Sequence, residues 1–303
     1  MMQNLDFTKI KEFANIELLA KQMVEGFITG LHQSPYHGFS VEFAEHKLYN
    51  AGESTRHIDW KVYAKTERLY TKRYEEETNL RCQILIDNSS SMYYPAEDLG
   101  KIRFSILASA CLAFMLQKQR DAVGITAFSE EIEWQSSTKS TSSHTHYLLL
   151  QLQKMLANQS SNKKSSVAKV IHQLADQINK RSLVVIFSDM LENVANQDEV
   201  FAALNHLKHN HHEVLLFHVL DKKTESDFEF ADRPYEFIDL ESGEKVKVQA
   251  SQIKAYYKEN RQKLEQDLKL RCGQFKIDYI QADIGQNIDQ ILLPYLIKRQ
   301  KMR

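Results

Sequence analysis

Two apolar stretches of the sequence end on an aspartate that has serine within two residues of it. The run "LIDNSSSM" puts Asp87, Ser89 and Ser91 at alternate positions, and "VIFSDM" carries Asp189 at its end. Side chains at alternate positions of one loop can converge on a point, and carboxylate and hydroxyl oxygens are ligands of Mg²⁺. These residues therefore predict a cation site that is built by two separate segments.

The charge of this set predicts a site with an open coordination position. Serine hydroxyls are neutral, and two aspartates that act partly through water leave a divalent cation with unbalanced positive charge. A carboxylate from outside would fill the open position. We therefore expect a binding site for the acidic side chain of a partner, and not a closed structural ion site.

The segments that carry both aspartates belong to a series of alternating strands and helices. Apolar positions at helical spacing separate five apolar runs, which predict strands at about 82–86, 121–128, 182–189, 213–221 and 275–282. Strand, helix, strand units imply parallel strands, and ligands bind beyond the carboxyl ends of such strands. The predicted fold class is α/β, with a doubly wound, mostly parallel, Rossmann-like sheet.

The regions around this sheet have different patterns. Residues 1–78 begin with a helical stripe of apolar side chains and continue as an aromatic-rich segment with short alternating stretches. Residues 222–250 alternate and turn at "ESGE", which is typical of a β-hairpin. We predict an N-terminal helix and small β-containing segment at 1–78, and a main domain at 79–303 with a β insertion at about 222–250.

The strand-end residues resemble the metal-ion-dependent adhesion site of von Willebrand factor A domains, where Asp-x-Ser-x-Ser ends one strand and a later strand ends in Ser-Asp. In that family a Thr from a middle loop completes the site. The resemblance implies that a hydroxyl of "KKSSVAKVIHQL" takes its place, with Ser165 as first choice and Ser166 as the alternative. It also implies a non-enzymatic protein-binding module and a bound Mg²⁺, or Mn²⁺ or Ca²⁺. The implied metal ligands are Asp87, Ser89, Ser91, Ser165 and Asp189.

A second resemblance lies in the preceding segment, "YNAGESTRHIDWKVYAK". It is similar to the segment before the A-type domain in bacterial proteins of the DUF58 family, and the resemblance covers roughly residues 35–300. The matching residues are Tyr49, Gly52, Arg56, Ile58, Asp59, Trp60 and Ala64, with Glu53 where the family usually has Asp. The resemblance implies an adaptor or co-chaperone that works with a MoxR-type AAA+ ATPase or its client. We interpret Arg56–Trp60 as structural, with a buried Trp and an Arg–Asp pair.

Composition argues against several other classes of partner and location. The 39 Lys and Arg against 40 Asp and Glu give a net charge of -1, which provides no general attraction for nucleic acid or an anionic membrane. No apolar run approaches the roughly 20 residues that a membrane span needs. The three cysteines are widely spaced, which indicates a reducing compartment. We therefore expect a cytoplasmic protein.

Two alternative functions stay open. A scaffold with a vestigial metal site would make its contacts through the aromatic N-terminal segment and residues 222–250. A Mg²⁺-dependent phosphotransferase or phosphatase would need a second acid two residues after Asp87, and position 89 is Ser. We interpret the histidines of "HLKHNHH" as a solvated helix end and not as a metal site: His206, His209, His211 and His212.

Overall fold

The computed structural model describes residues 16–32, 46–48, 60–72, 80–96, 99–157, 163–190, 197–241 and 243–301. The chain divides into two compact units, one of Met1–Phe27 with Leu80–Arg303 and one of Ile28–Asn79. In the smaller unit, β1 (His46–Leu48) pairs antiparallel with β2 (Tyr70–Lys72), and helix α2 covers Trp60–Thr66.

The DUF58-like segment is described only in part. Trp60 and Ala64 lie in α2, and Trp60 is 63% exposed, so the expectation of a buried Trp is wrong. The Trp60 ring instead meets the Tyr63 ring edge-on, with centroids 6.1 Å apart. The other residues of the resemblance lie outside the described residues: Tyr49, Gly52, Glu53, Arg56, Ile58 and Asp59.

A six-stranded, mostly parallel sheet forms the centre of the larger unit. The strands are β3 (Arg81–Asp87), β4 (Ala122–Phe128), β5 (Ile132–Gln135), β6 (Leu183–Ser188), β7 (Glu213–Leu220) and β10 (Asp278–Asp283). Their order is β10-β7-β6-β3-β4-β5, and all neighbours are parallel except β4 and β5. The predicted mixed α/β class with a mostly parallel sheet is confirmed. The antiparallel edge strand β5 was not predicted.

Helices flank this sheet. They are the part of α1 (Ile16–His32) up to Phe27, and α3 (Gly100–Lys118), α4 (Ser142–Ala157), α5 (Val167–Gln177), α6 (Gln197–His209), α7 (Ala250–Gln274) and α8 (Ile288–Lys301). Alternate strand residues pack with α5 and α6 in one core, which includes Leu85, Val184, Ile186, Val214 and Leu216. This alternation is what a strand covered on both faces requires.

Helix α3 is the most deeply buried of these helices, because apolar and small residues cover nearly all of its circumference. Among helices in the described ranges, it alone has the length and apolar composition of a membrane span. However, 83% of its most apolar stretch is buried inside the domain. A helix that is apolar all round is typical of the core of a large α/β domain.

The β insertion forms a separate two-stranded sheet between β7 and α7. Strands β8 (Pro234–Ile238) and β9 (Lys245–Gln249) pair antiparallel, and the turn between them includes Gly243 with a φ of 76°. Aromatic rings hold this hairpin against the start of α7. The rings in mutual contact are Phe228, Phe230, Tyr235, Phe237 and Tyr257.

Candidate functional site

The end of β3 places Asp87 at the carboxyl edge of the sheet. Strand β3 lies between β4 and β6, and the Asp87 side chain is fully buried. A short 3₁₀ helix, Ser90–Tyr93, begins three residues after Asp87. The Ser89 backbone N–H donates to Asp87 Oδ1 at 3.0 Å, and the hydroxyls of Ser89 and Ser91 lie 3.1 Å apart.

Two further serines bring their hydroxyls to the other oxygen of Asp87. Ser188, the last residue of β6, donates to Asp87 Oδ2 at 2.7 Å, and Ser165 donates to the same atom at 3.3 Å. Ser166 caps α5 without a side-chain cap bond, and its backbone N–H donates to Ser129 O at 3.1 Å. The structure thus places Ser165, and not Ser166, against Asp87.

The alternate residues of the "DNSSS" loop hold the loop in place. Asn88 Nδ2 donates to Glu133 Oε2 at 2.9 Å, and the Tyr93 hydroxyl donates to Asn88 Oδ1 at 2.8 Å. Ser90 and Lys163 exchange two hydrogen bonds, at 2.9 and 2.7 Å. These contacts fix the loop so that the side chains at positions 87, 89 and 91 share one side.

Asp189 is held differently from Asp87. Its Oδ2 accepts a hydrogen bond at 2.8 Å from the ammonium of Lys101, which is buried in the first turn of α3. The same ammonium also donates to Glu225 Oε1 at 2.6 Å, in the π-helical turn Lys222–Ser226 after β7. The predicted residue therefore lies at the same sheet edge as Asp87, but its carboxylate is paired with a lysine.

Burial and neighbouring charge shift the pKa values of these groups. Burial, together with the negative charge of Asp189, raises the pKa of Asp87 to about 7, although hydrogen bonds from Ser188 and Ser89 oppose the rise. Burial alone would lower the pKa of Lys101, but the charges of Asp189 and Glu225 outweigh it and raise that pKa. A cation beside Asp87 would therefore relieve an unfavourable burial of negative charge.

A buried histidine supports the backbone of Asp189. His218 lies in β7, where one ring nitrogen is 3.1 Å from Asp189 O and the other is 2.7 Å from the Tyr279 hydroxyl. Burial, reinforced by the charge of Arg261, lowers the pKa of His218 to about 3. The imidazole is therefore neutral, and its two ring nitrogens link the Asp189 backbone to the Tyr279 hydroxyl.

Several residues around the site were not identified from the sequence: Lys101, Ser188, His218, Glu225 and Glu241. Two of them could have been recognised as buried polar residues: Lys101 stands in the first turn of an apolar helix, and His218 stands inside the apolar strand "VLLFHVL". Glu225 and Glu241 lie in segments of polar composition, where an acidic residue carries no distinguishing pattern.

One interpretation of the histidine-rich stretch is wrong. His212 is 1% exposed, and its Nδ1 accepts a hydrogen bond from the Ser182 backbone N–H at 3.2 Å. His206 is partly exposed and lies with Nδ1 3.2 Å from His172 Nδ1. His209 and His211 are exposed, as expected for a helix end. His212 is buried because the chain turns there into β7.

The oxygen donors around Asp87 are the ones a hard cation needs. In the described part of the chain, no three side chains of the His, Cys, Asp or Glu type form a group able to hold a metal. The oxygen atoms grouped at the end of β3 are the Asp87 carboxylate and the hydroxyls of Ser89, Ser91 and Ser165, and these could hold a cation. Such a set fits Mg²⁺, which takes few protein ligands and keeps several waters.

The chain belongs to the family described as protein of unknown function DUF58, whose family model matches residues 45–267. The expected membership is thereby confirmed. Three uncharacterized mycobacterial proteins are similar, namely Mb1516 of Mycobacterium bovis and MT1527 and Rv1480 of Mycobacterium tuberculosis. Each is 24% identical over 208 residues, which cover 69% of this chain and 64% of the relative. The match thus spans less than two thirds of the relatives' length.

Two solved structures are similar at a low level. One is the conserved hypothetical protein BatB from Bacteroides thetaiotaomicron, at 11% identity and a TM-score of 0.45, covering 74% of this chain and 100% of that chain. The other is an aerotolerance-related membrane protein from Bacteroides fragilis, at 12% identity and a TM-score of 0.43, covering 71% of this chain and 97% of that chain.

Proposed function

We propose that this chain is a non-enzymatic binding module of the von Willebrand factor A type with a metal-ion-dependent adhesion site. The observation that carries the proposal is the convergence on Asp87 of hydroxyls from two distant segments. Ser165, from the loop before α5, and Ser188, at the end of β6, both donate to Asp87 Oδ2, and the hydroxyls of Ser89 and Ser91 lie 3.1 Å apart in the loop that follows Asp87. Asp189 would act through water, because Lys101 holds one of its oxygens.

The cation, Mg²⁺ or a substitute such as Mn²⁺ or Ca²⁺, would supply a Lewis-acidic position that binds a carboxylate from outside the domain. The chain's own residues would hold the cation and orient its ligands. Asp87 and the three hydroxyls provide oxygen donors, and the hydrogen bonds of Asn88 and Ser90 keep the donors oriented. A partner would therefore be recognised through an aspartate or glutamate side chain.

The partner class follows from the family resemblance. We propose an adaptor or co-chaperone that acts in the cytoplasm with a MoxR-type AAA+ ATPase, its client, or both. Cys82, Cys111 and Cys272 are buried thiols, which is consistent with a reducing compartment. Phosphotransfer is disfavoured because Ser89 stands where such an enzyme needs its second acid, and its hydroxyl is engaged with Ser91.

A scaffold with a vestigial metal site is the second candidate, and one observation favours it. The ammonium of Lys101 already supplies a positive charge to Asp189 and Glu225. A built-in cation of this kind could replace an exchangeable one. In that case the domain would bind its partners without Mg²⁺.

Affinity capture from the source cell separates these two candidates. The full chain serves as bait in Mg²⁺ and in chelator, beside Asp87→Asn and the exposed control Asp176→Asn. We expect wild type and Asp176→Asn to retain a MoxR-type ATPase in Mg²⁺, and expect chelator or Asp87→Asn to release it. Equal recovery under all four conditions would refute metal-dependent adhesion and favour the scaffold.

A further inference from the structure

The β8–β9 hairpin brings an acidic side chain to the candidate cation site. Glu241 lies in the turn of this hairpin, 53 residues after the end of β6, in a chain segment that the site motif does not include. Its Oε2 accepts a hydrogen bond at 3.3 Å from the backbone N–H of Ser165. The hydroxyl of Ser91 lies close enough to the same carboxylate to lower its pKa. Glu241 thus contacts both segments that supply the hydroxyls of the site.

The second oxygen of this carboxylate lacks a donor. Oε1 of Glu241 is shielded from solvent, and no hydrogen-bond donor among the described residues reaches it. A buried carboxylate oxygen without a donor is unfavourable, and a cation would satisfy it. Burial raises the pKa of Glu241, and the nearby charge of Asp189 adds to the rise. The negative charge of Glu241 is therefore not balanced by its surroundings, and a nearby cation would stabilise it.

The hairpin holds Glu241 in this position through its own structure. The Glu241 backbone N–H donates to Asp239 Oδ1 at 2.8 Å, and the Gly243 N–H donates to Asp239 O at 2.8 Å. The aromatic rings described above fix the base of the hairpin. The described residues on both sides of the turn are therefore hydrogen-bonded to Asp239, and these bonds hold the backbone that carries Glu241.

We propose that Glu241 is an internal ligand of the cation site, and that it fills the open position which a partner's acidic side chain takes on binding. This inference rests on the proposed metal-dependent function. It assigns to the β insertion the role of a cap that a partner must displace.

Mn²⁺ binding to the purified full chain tests the inference, because Mn²⁺ accepts oxygen ligands and its bound waters relax solvent protons. Calorimetry gives the affinity, and solvent-proton relaxation reports how many waters the bound Mn²⁺ keeps. The variants are Glu241→Gln and Glu241→Ala, with Glu244→Gln and Glu244→Ala as controls on an exposed glutamate of the same turn. Circular dichroism checks that each variant is folded.

We expect Glu241→Gln to weaken Mn²⁺ binding by about tenfold and to raise the relaxation effect of each bound Mn²⁺. Added acetate should restore the affinity of Glu241→Ala, because it supplies the missing carboxylate. The Glu244 variants should match wild type. If wild type binds Mn²⁺ and Glu241→Gln binds it equally well with the same relaxation, the internal ligand is refuted while the cation site stands. If wild type binds no Mn²⁺, both proposals fall.

Discussion

The ammonium of Lys101 lies 2.8 Å from a carboxylate oxygen of Asp189, and both side chains are almost completely buried. Lys101 occupies the first turn of α3, where the partial positive charge of a helix N-terminus disfavours a cation. Burial is also unfavourable for a lysine. The carboxylates of Asp189 and Glu225 must therefore stabilise the buried ammonium. The two aspartates at the sheet edge thus have different partners: Asp189 is paired with a lysine, whereas Asp87 accepts hydrogen bonds from serine hydroxyls.

Substitution of Lys101 by Met should destabilise the protein strongly. The change keeps an unbranched side chain but leaves the carboxylates of Asp189 and Glu225 buried without their cation. Removing one partner of a buried ion pair costs about 3–5 kcal/mol of unfolding free energy. Urea unfolding followed by circular dichroism measures the loss.

The exposed pair of Lys169 with Glu131 provides the matched control for this measurement. Lys169→Met removes the same charge where the side chains are 60% and 79% exposed, so the expected loss is about 0–1 kcal/mol. Adding Asp189→Asn to Lys101→Met should recover part of the stability. A loss from Lys101→Met as small as that of the control would contradict the buried pairing.

The same Lys101→Met variant should respond more strongly to Mg²⁺ than wild type does. Without the ammonium, the negative charges of Asp87, Asp189 and Glu225 are less compensated, so a bound cation stabilises the folded state more. Thermal unfolding with and without Mg²⁺ measures the difference between the two proteins. A vestigial site predicts instead that Mg²⁺ stabilises neither of them.

The pair Ser165 and Ser166 allows a test within two adjacent residues of equal chemistry. Ser165→Ala removes a hydroxyl that bonds to Asp87, whereas Ser166→Ala removes one that makes no cap bond. We expect Ser165→Ala to lower stability by about 1 kcal/mol and to weaken stabilisation by Mg²⁺. Ser166→Ala should leave the Mg²⁺ response unchanged, as measured by thermal unfolding over a Mg²⁺ titration. If Ser166→Ala weakened the stabilisation by Mg²⁺ and Ser165→Ala did not, Ser166 would be the hydroxyl ligand instead.

The sequence predicted those parts of the fold that local pattern determines. Buried parallel strands are continuous apolar runs, so β3, β4, β6 and β7 were recognisable, and the aspartates at two of their ends followed directly. Strand β5 was missed because it has four residues of mixed exposure. A strand this short has no pattern that distinguishes it from a loop.

Side chains that reach the site from distant segments could not be predicted in this way. Glu225 lies 124 residues from its partner Lys101, and Glu241 lies 76 residues from Ser165. Such contacts depend on how distant segments pack together. The spacing of apolar residues along the sequence gives no information about that packing. For the same reason, Trp60 is exposed although it was expected to be buried, and His212 is buried although it was expected to be exposed.

His212, together with the fully buried His218, makes the stability of the fold depend on pH. The Nδ1 of His212 accepts a hydrogen bond from the Ser182 N–H, so that nitrogen must be unprotonated. Burial lowers the pKa of His212, and the positive charges of neighbouring side chains, including Lys208, lower it further. The unfolded chain, with a histidine pKa of about 6.5, therefore binds the proton more readily than the folded chain does.

We expect this histidine to lower the free energy of unfolding as the pH falls below about 6.5, by up to about 1.4 kcal/mol for each pH unit. Its contribution is complete at higher pH. His212→Gln keeps an oxygen that can accept from the Ser182 N–H but cannot titrate, so its stability should depend less on pH. Urea unfolding at neutral and mildly acidic pH measures this, with the exposed His209→Gln as a control that should behave like wild type. If His212→Gln lost stability as steeply as wild type, His212 would not be the group responsible.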